Sequence, residues 1–299
     1  MIGGITHVTM EAAELEHGVT LGTDLGFTLD FVDRVELPAA FEGIGTSDHT
    51  LPLALLAGPR GIRLEVVQHR RSTGRRGAYT PLFEGPPPHP GRPTVDRPGI
   101  RAALLRAGAL ADPACRAVAG PGGDAWFDSS GAPGGLAGLL CHAEDVRVEA
   151  AFWSAFARAR WSTVGDEGAW GSVSSPLLPA PCRLVILPAE GDRPRHAMND
   201  CGFPSIGVAA TAIDADCARA LAAGATLRAE PIVTTVGGRP LRMALIETPG
   251  GAPVELLSVH RDGSRGRPAA RRAPVAPAAS GAHPHPTTTA GAGPDDIHA

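Results

Sequence analysis

The sequence predicts an α+β fold that repeats a βαβββ module, and three observations support this prediction. Two segments, 55–67 and 245–257, share an apolar strand end, a Gly/Pro turn and a second apolar strand that carries one glutamate. Each hairpin lies downstream of a short β-rich run and a helical segment. Each helical segment ends at a glycine, which is a common helix stop signal.

The first copy begins with a predicted strand at 4–10 and a helix at 13–23 that ends at Gly26. Its hairpin closes with a strand that contains Glu65. Because side chains alternate along a strand, Glu65 shares a face with Arg63 and Val67. A carboxylate in this apolar setting is expected to point inward.

The last copy repeats this order with a strand at 205–211 and a helix at 215–223 that stops at Gly224. Its closing strand carries Glu255, which shares a face with Pro253 and Leu257. The two glutamates therefore occupy matching positions in the first and last copies.

Two further copies are predicted between these. One starts with a strand at 135–141, continues with a helix at 146–159 and includes a later strand at 183–188. A degraded copy is predicted at 98–130, with strands at 100–106 and 124–129. In chain order the degraded copy is the second and the clearer one is the third.

These patterns divide the chain into six segments. Residues 262–299 are rich in Arg, Pro, Ala, Gly and Thr without apolar periodicity, so a disordered tail is predicted. Residues 73–98 are rich in Pro, Gly and Arg, so an exposed loop or linker is predicted. The remaining segments are a first module (1–72), a possible degenerate module (99–134), a third module (135–192) and a last module (200–261).

Composition excludes several function classes. The chain contains no Lys, so Schiff-base chemistry and a phosphate-loop lysine are excluded. A net charge of -4 without a basic stripe argues against nucleic-acid binding. No apolar run is long enough for a bilayer, and the N-terminal ten residues lack the features of a signal peptide. With five cysteines and no CxxC pair, we expect reduced thiols, a cytoplasmic location and no membrane contact.

The chain resembles the vicinal oxygen chelate superfamily, which includes glyoxalase I, bleomycin-resistance proteins, methylmalonyl-CoA epimerase and type I extradiol dioxygenases. The resemblance covers most of residues 4–260. In the first copy its motifs are His7, Glu14-Leu15 and Leu25-Gly26-Phe27; in the last they are 201–205, 222–225 and Thr-Pro-Gly-Gly-Ala-Pro-Val-Glu at 248–255. The last of these motifs is the most specific.

The resemblance implies mixed sheets that curl into open cups, each formed by two modules around a divalent metal. It implies His7, Glu65 and Glu255 as ligands, whereas Gly138 and Ser205 occupy the first-strand positions of the third and fourth copies. One imidazole and two carboxylates suit Fe, Mn, Ni or Zn. The usual pairing, first copy with second and third with fourth, would separate these residues, so they require the first and fourth copies to face each other.

Each candidate residue also has a plainer interpretation. His7 is either a ligand or a half-buried histidine that binds a backbone carbonyl. Glu65 and Glu255, the candidate catalytic residues, either point inward or pair with arginine at an edge. The candidates for substrate contact, each of which could instead be an ordinary lining or surface residue, are Ser205, His49, His142 and Arg242.

Two functions follow as hypotheses, together with a weaker third. The first is a metal-dependent lyase, isomerase or dioxygenase that acts on a small oxygenated metabolite. The second is a metal-free binding protein of the bleomycin-resistance type. The third is a scaffold of degenerate modules with filled cups. The first two predict a small-molecule ligand, and a homodimer is possible because a partner chain could complete a cup.

Overall fold

Two eight-stranded mixed sheets form the protein, according to a computed structural model. The structure describes residues 2–37, 50–87, 94–95, 97–106, 115–120, 123–128, 135–176, 178, 180–191 and 195–260. The predicted tail at 262–299 and the candidate residue His49 lie outside the described residues.

The described elements fall into four successive groups, which are numbered here as copies in chain order. The first copy contains β1 (Ile2–Glu11), α1 (Leu15–Asp24), β2 (Thr28–Glu36), β3 (Thr50–Ala57) and β4 (Arg63–Val67). The second contains β5 (Tyr79–Glu84), β6 (Thr94–Val95), α2 (Pro98–Arg106), β7 (Arg116–Gly120) and β8 (Gly123–Asp128). The third contains β9 (Gly135–Ala143), α3 (Val146–Ala157), β10 (Arg160–Gly165), β11 (Gly168–Val173) and β12 (Cys182–Pro188). The fourth contains β13 (Ile206–Ala210), α4 (Ile213–Ala222), β14 (Thr226–Val236), β15 (Arg239–Glu247) and β16 (Pro253–Val259).

The first copy pairs with the fourth, and the second pairs with the third. The first sheet has the order β14-β15-β16-β13-β1-β4-β3-β2, and the second has the order β10-β11-β12-β9-β5-β8-β7-β6. The central strands β1 and β13 are antiparallel, as are β5 and β9. This is the pairing that the His7, Glu65 and Glu255 set requires, and it is not the usual one implied by the resemblance.

The second copy departs from the prediction in two places. The segment predicted as an exposed linker contains β5, whose residues Tyr79–Phe83 are buried beside β9. This short apolar strand was not predicted because Arg/Gly-rich and Pro-rich runs flank it in the sequence. The predicted strand at 100–106 is part of helix α2, which starts at Pro98; proline is favoured at a first helical position, and Ala, Leu and Arg are strong helix formers. The predicted strand at 124–129 corresponds to β8.

One large core lies between the outer faces of the two sheets. It contains Leu64 and Val208 of the first sheet and Leu184 and Ile186 of the second, together with the aromatic side chains of α3. Helix α3 contacts β1 and α4 as well as its own copy. Each of its buried aromatic residues contributes about 1.5–3 kcal/mol through burial. The two sheets are therefore one folded unit.

The two edge strands of the first sheet, β14 and β2, contact each other, so the sheet closes around its concave face. The Thr234 hydroxyl in β14 donates to the Glu36 carbonyl in β2 at 3.1 Å. The Gly237 amide donates to the Asp33 carboxylate at 2.7 Å. These bonds cover edges that would otherwise stay unpaired, and they enclose the concave face within one chain.

The concave face of the second sheet is filled by α2. Leu104 is fully buried in a cluster with Leu82, Trp126, Leu140 and Val185. These strand residues alternate with the side chains that face α3, so α2 and α3 lie on opposite faces of the second sheet.

No disulfide joins any of the five cysteines, and four of them are buried. None of the helices in the described ranges has the length and apolar character needed to cross a membrane.

Candidate metal centre

Three strands bring His7, Glu65 and Glu255 together on the concave face of the first sheet. His7 lies on β1, while each glutamate lies on the strand that closes its copy. The Nε2 atom of His7 is 3.5 Å from a carboxylate oxygen of Glu65 and 4.0 Å from one of Glu255. One potential ligand atom from each residue lies within 4.8 Å of the others.

Hydroxyl groups from β1 and from the start of β13 hold the two carboxylates. The Thr9 hydroxyl lies 2.9 Å from a Glu65 oxygen and 3.2 Å from a Glu255 oxygen, so it bridges the pair. The Ser205 hydroxyl donates to the same Glu255 oxygen at 2.6 Å. The Thr6 hydroxyl lies 3.3 Å from Nδ1 of His7, which leaves Nε2 facing the carboxylates. Such outer partners fix ligand orientation.

Burial controls the protonation of all three groups. Desolvation raises the pKa of Glu65 to about 7. Desolvation and the nearby charge of Glu65 raise the pKa of Glu255 to about 7. Desolvation also lowers the pKa of His7, so the imidazole is neutral at physiological pH with a lone pair available.

These residues fit a divalent transition metal. The Nε2 atom of His7 is buried and has no hydrogen-bond partner in the described structure. A buried nitrogen of this kind is costly unless it has a partner, and a metal ion would supply one. The spacings of 3.5 and 4.0 Å are close to those between two ligands that each bind one ion at about 2.1 Å.

Gly207 keeps space for the His7 ring. It pairs with His7 across the central strands, and a methyl group at Gly207 would overlap the ring. Strand register makes Gly207 the counterpart of Thr9, because each pairs with the glutamate of its own copy. By the same register, Ser205 is the counterpart of His7. The site is therefore built from two similar halves, of which only one carries an imidazole.

A cavity of about 120 Å³ adjoins these residues. Eleven of its sixteen lining residues are Val, Leu or Met, contributed mainly by β2, β3, β14 and β15. The polar lining residues are His7, Thr9, Glu65, Glu255 and His69. A mostly apolar cavity with a few convergent polar groups is typical of a small-molecule site.

Of the other described candidates for substrate contact, one lies in the site and two lie outside the cavity. Ser205 lies in the site, where it binds Glu255. Arg242 does not line the cavity: it forms two hydrogen bonds with Asp214 of α4, because Leu241 and Met243 occupy the opposite strand face. His142 lies on the second sheet, 3.1 Å from the Pro188 carbonyl and outside this cavity.

The second sheet lacks an equivalent ligand set in its described residues. Strand register relates the positions of the two sheets. Gly138 pairs with Arg183 in the second sheet, as His7 pairs with Arg63 in the first. Leu82 pairs with Trp126 in the second sheet, as Gly207 pairs with Glu255 in the first. The positions that match His7, Glu65, Ser205 and Glu255 are thus Gly138, Val185, Thr80 and Trp126. The Arg183 backbone leaves no room for a side chain at Gly138.

The sequence patterns missed Thr9, His69 and Gly207. Thr9 had a signal, since it lies two residues beyond His7 and so shares its strand face, whereas His69 lies beyond the end of β4. Gly207 had none, because its role depends on a strand pairing between distant copies.

Comparison with solved structures identifies the fold. Glyoxalase I from Zea mays superposes with a TM-score of 0.55 and 10% identity, covering 85% of this chain and 92% of that chain. A "putative dioxygenase" from Bacillus subtilis gives a TM-score of 0.50 and 11% identity, covering 86% of this chain and 85% of that chain. No protein-family model matches the sequence, and no curated protein matches it. The predicted α+β architecture is confirmed, and the fold is that of the vicinal oxygen chelate proteins.

Proposed function

We propose that the protein is a divalent-metal-dependent enzyme, a lyase, isomerase or dioxygenase, that acts on a small oxygenated metabolite. The observation that carries this proposal is the set of His7, Glu65 and Glu255, of which the first and last are buried and Glu65 is partly buried, beside an apolar cavity. Fe, Mn, Ni and Zn all suit one imidazole and two carboxylates. The similarity in fold to glyoxalase I and to the Bacillus subtilis protein is compatible with each of these reactions.

The protein residues have separate tasks in this proposal. A bound divalent ion would act as a Lewis acid that polarises a substrate oxygen. His7 holds a neutral nitrogen toward the ion site, and Thr9 and Ser205 keep the carboxylates oriented. Glu65 and Glu255 would bind the ion as carboxylates, and a carboxylate beside the substrate could accept a proton from it and return it. The apolar lining excludes water from the reacting atoms.

Metal content tests the proposal directly. Protein purified without chelator is expected to contain about one transition-metal ion per chain by mass spectrometry. A His7→Ala/Glu255→Ala double variant is expected to contain none, because two of the three ligands are lost. The matched control is a His17→Ala/Glu14→Ala double variant, which removes the same residue types from an exposed pair on and beside α1.

Turnover completes the test. Metal-loaded wild-type protein is assayed with diols, catechols, 2-oxo thiohemiacetals and acyl thioesters, beside the double variant and the control. Full activity in metal-stripped protein, or no metal in wild type after incubation with Fe(II), Mn(II), Ni(II) and Zn(II), would contradict the proposal.

The alternative is a metal-free binding protein, and one observation favours it. Ser205 replaces an imidazole at the counterpart of His7, and it hydrogen-bonds Glu255 in place of a fourth ligand. Because the carboxyl pKa values are about 7, a protonated carboxyl could also donate to Thr9 and leave the site satisfied without metal. This function predicts ligand binding that chelator does not change, with no turnover.

We also propose that the protein is cytoplasmic and that it can form a homodimer. The absence of disulfides among the five cysteines supports the first. Since one chain closes its own cup, neither proposed function requires a second chain.

A further inference from the structure

The described lining of the cavity beside the candidate metal centre contains no arginine. The chain has no lysine. Arg63 and Arg239 share strand faces with lining residues, but both side chains are exposed and lie outside the cavity lining. The sequence of segment 38–49, which joins lining strands β2 and β3, also contains neither arginine nor lysine.

An anionic ligand would therefore enter this cavity at a cost. Away from the metal centre, its charge would leave water for a lining of Val, Leu and Met without gaining a partner among arginine side chains of the described lining. Glu65 and Glu255 add negative charge at the base whenever they are ionised. An uncharged ligand with an apolar body loses little hydration and gains contact with the same side chains.

His69 provides a polar contact that is separate from the metal centre. It lies four residues after Glu65 and two residues beyond the end of β4, and it lines the cavity together with Glu65 and Val67. His69 is 8% exposed, and a neutral imidazole both donates and accepts hydrogen bonds.

We propose that the cavity takes an uncharged substrate with an apolar body and neighbouring oxygen atoms at one end, and that His69 contacts a hydrogen-bonding group at the other end. This inference rests on the proposed function for the placement of the oxygen atoms. The cavity volume of about 120 Å³ is close to the roughly 150 Å³ of an apolar cavity that holds benzene, so the enclosed part of the ligand is about one ring in size.

Calorimetric titration of metal-loaded protein under argon tests the charge selection. The probes are three catechols of the same shape, carrying a methyl, a hydroxymethyl or a carboxylate group para to one hydroxyl. The methyl catechol is expected to bind at least about tenfold more tightly than the carboxylate. Equal or tighter binding of the carboxylate, or no binding of any probe, would overturn the inference.

A His69→Leu variant tests the second contact. It is expected to weaken binding of the hydroxymethyl catechol about fivefold and to leave the methyl catechol unchanged. His69→Gln retains a donor and an acceptor, so it should bind the hydroxymethyl catechol nearly as wild type does. His142→Leu, on the second sheet, is the matched control. Unchanged affinity of the hydroxymethyl catechol in a folded His69→Leu variant would remove His69 from the substrate site.

Failure of this inference can be separated from failure of the proposed function. Metal content is measured on each sample, so a protein that binds metal but prefers the carboxylate contradicts only the inference. A protein without metal contradicts the proposed function, yet the apolar lining should still favour the methyl over the carboxylate probe in that protein. The ranking of these two probes needs no variant and does not depend on how a substituted chain folds.

Discussion

At the scale of single residues, the candidate site combines side chains that the sequence identifies with others that only the fold reveals. His7, Glu65 and Glu255 could be predicted because each is a ligand-type residue at a defined point of a local motif. The structure brings all three together. Thr9 is an ordinary strand residue and His69 follows the end of β4, and their roles depend on which strands surround the cavity. Arg242 was predicted as a candidate for substrate contact, but it lies on the opposite strand face from the cavity and bonds Asp214.

Gly207→Ala is expected to impair metal binding more than folding. The added methyl group would overlap the His7 ring, so the imidazole must leave its position beside the two carboxylates. We expect at least about a tenfold loss of metal affinity, measured by competition with a chromogenic chelator. Gly165→Ala is the control, because a methyl group there meets no atom within 4 Å. Wild-type affinity in Gly207→Ala would show that His7 does not bind the metal through this ring position.

At the scale of secondary-structure elements, the sequence predicted those that depend on local patterns. The closing hairpin of the fourth copy carries a Pro-Gly-Gly turn between apolar strands, and β15 and β16 form there. Strand β5 and helix α2 were missed because the second copy is not a βαβββ unit. It has an additional short strand before its helix, and α2 packs on the inner face of its sheet rather than the outer one.

Glu149 of α3 is expected to contribute strongly to stability. Its buried carboxylate accepts hydrogen bonds from the Trp153 indole at 2.9 Å and from the Gly250 amide in the β15–β16 turn at 2.7 Å. Glu149→Ala would leave both donors unpaired and create a void, so we expect a loss of about 2–4 kcal/mol in the free energy of unfolding.

Urea denaturation measures this loss. The control is Glu144→Ala, an exposed glutamate just before the same helix, which is expected to change stability by less than about 0.5 kcal/mol. A Glu149→Ala variant as stable as that control would mean that the contact between α3 and the turn is not a stabilising one.

At the scale of the whole molecule, the pairing of copies decides whether a site exists, and sequence patterns could not predict it. Local signals act within each copy, so they do not favour one pairing of copies over another. The choice lies in contacts such as His7 with Gly207 and Leu82 with Gly138, which join residues far apart in the chain. The same pairing makes one cup a candidate site and the other a filled core.

The two buried carboxylates at the junction of the first and fourth copies link metal, pH and global stability. Burial raises the pKa of Glu65 and Glu255 from 4.5 to about 7. Because the pKa of each is higher in the folded than in the unfolded chain, protonation favours folding. This contribution is complete below the unfolded pKa and is lost as pH rises through about 7.

Metal-stripped protein is therefore expected to be less stable at about pH 8 than at about pH 5.5, by on the order of 2 kcal/mol for each carboxyl. A Glu65→Gln/Glu255→Gln variant should lose this part of the pH dependence, whereas Glu16→Gln on α1 should retain it. Saturating metal should reduce this loss in wild type, because the ion binds the ionised carboxylates and adds about 2.7 kcal/mol at a hundredfold excess over Kd. Urea midpoints at both pH values, with and without metal, measure each effect. The same pH dependence in wild type and the double glutamine variant would show that these carboxylates do not titrate between the two pH values.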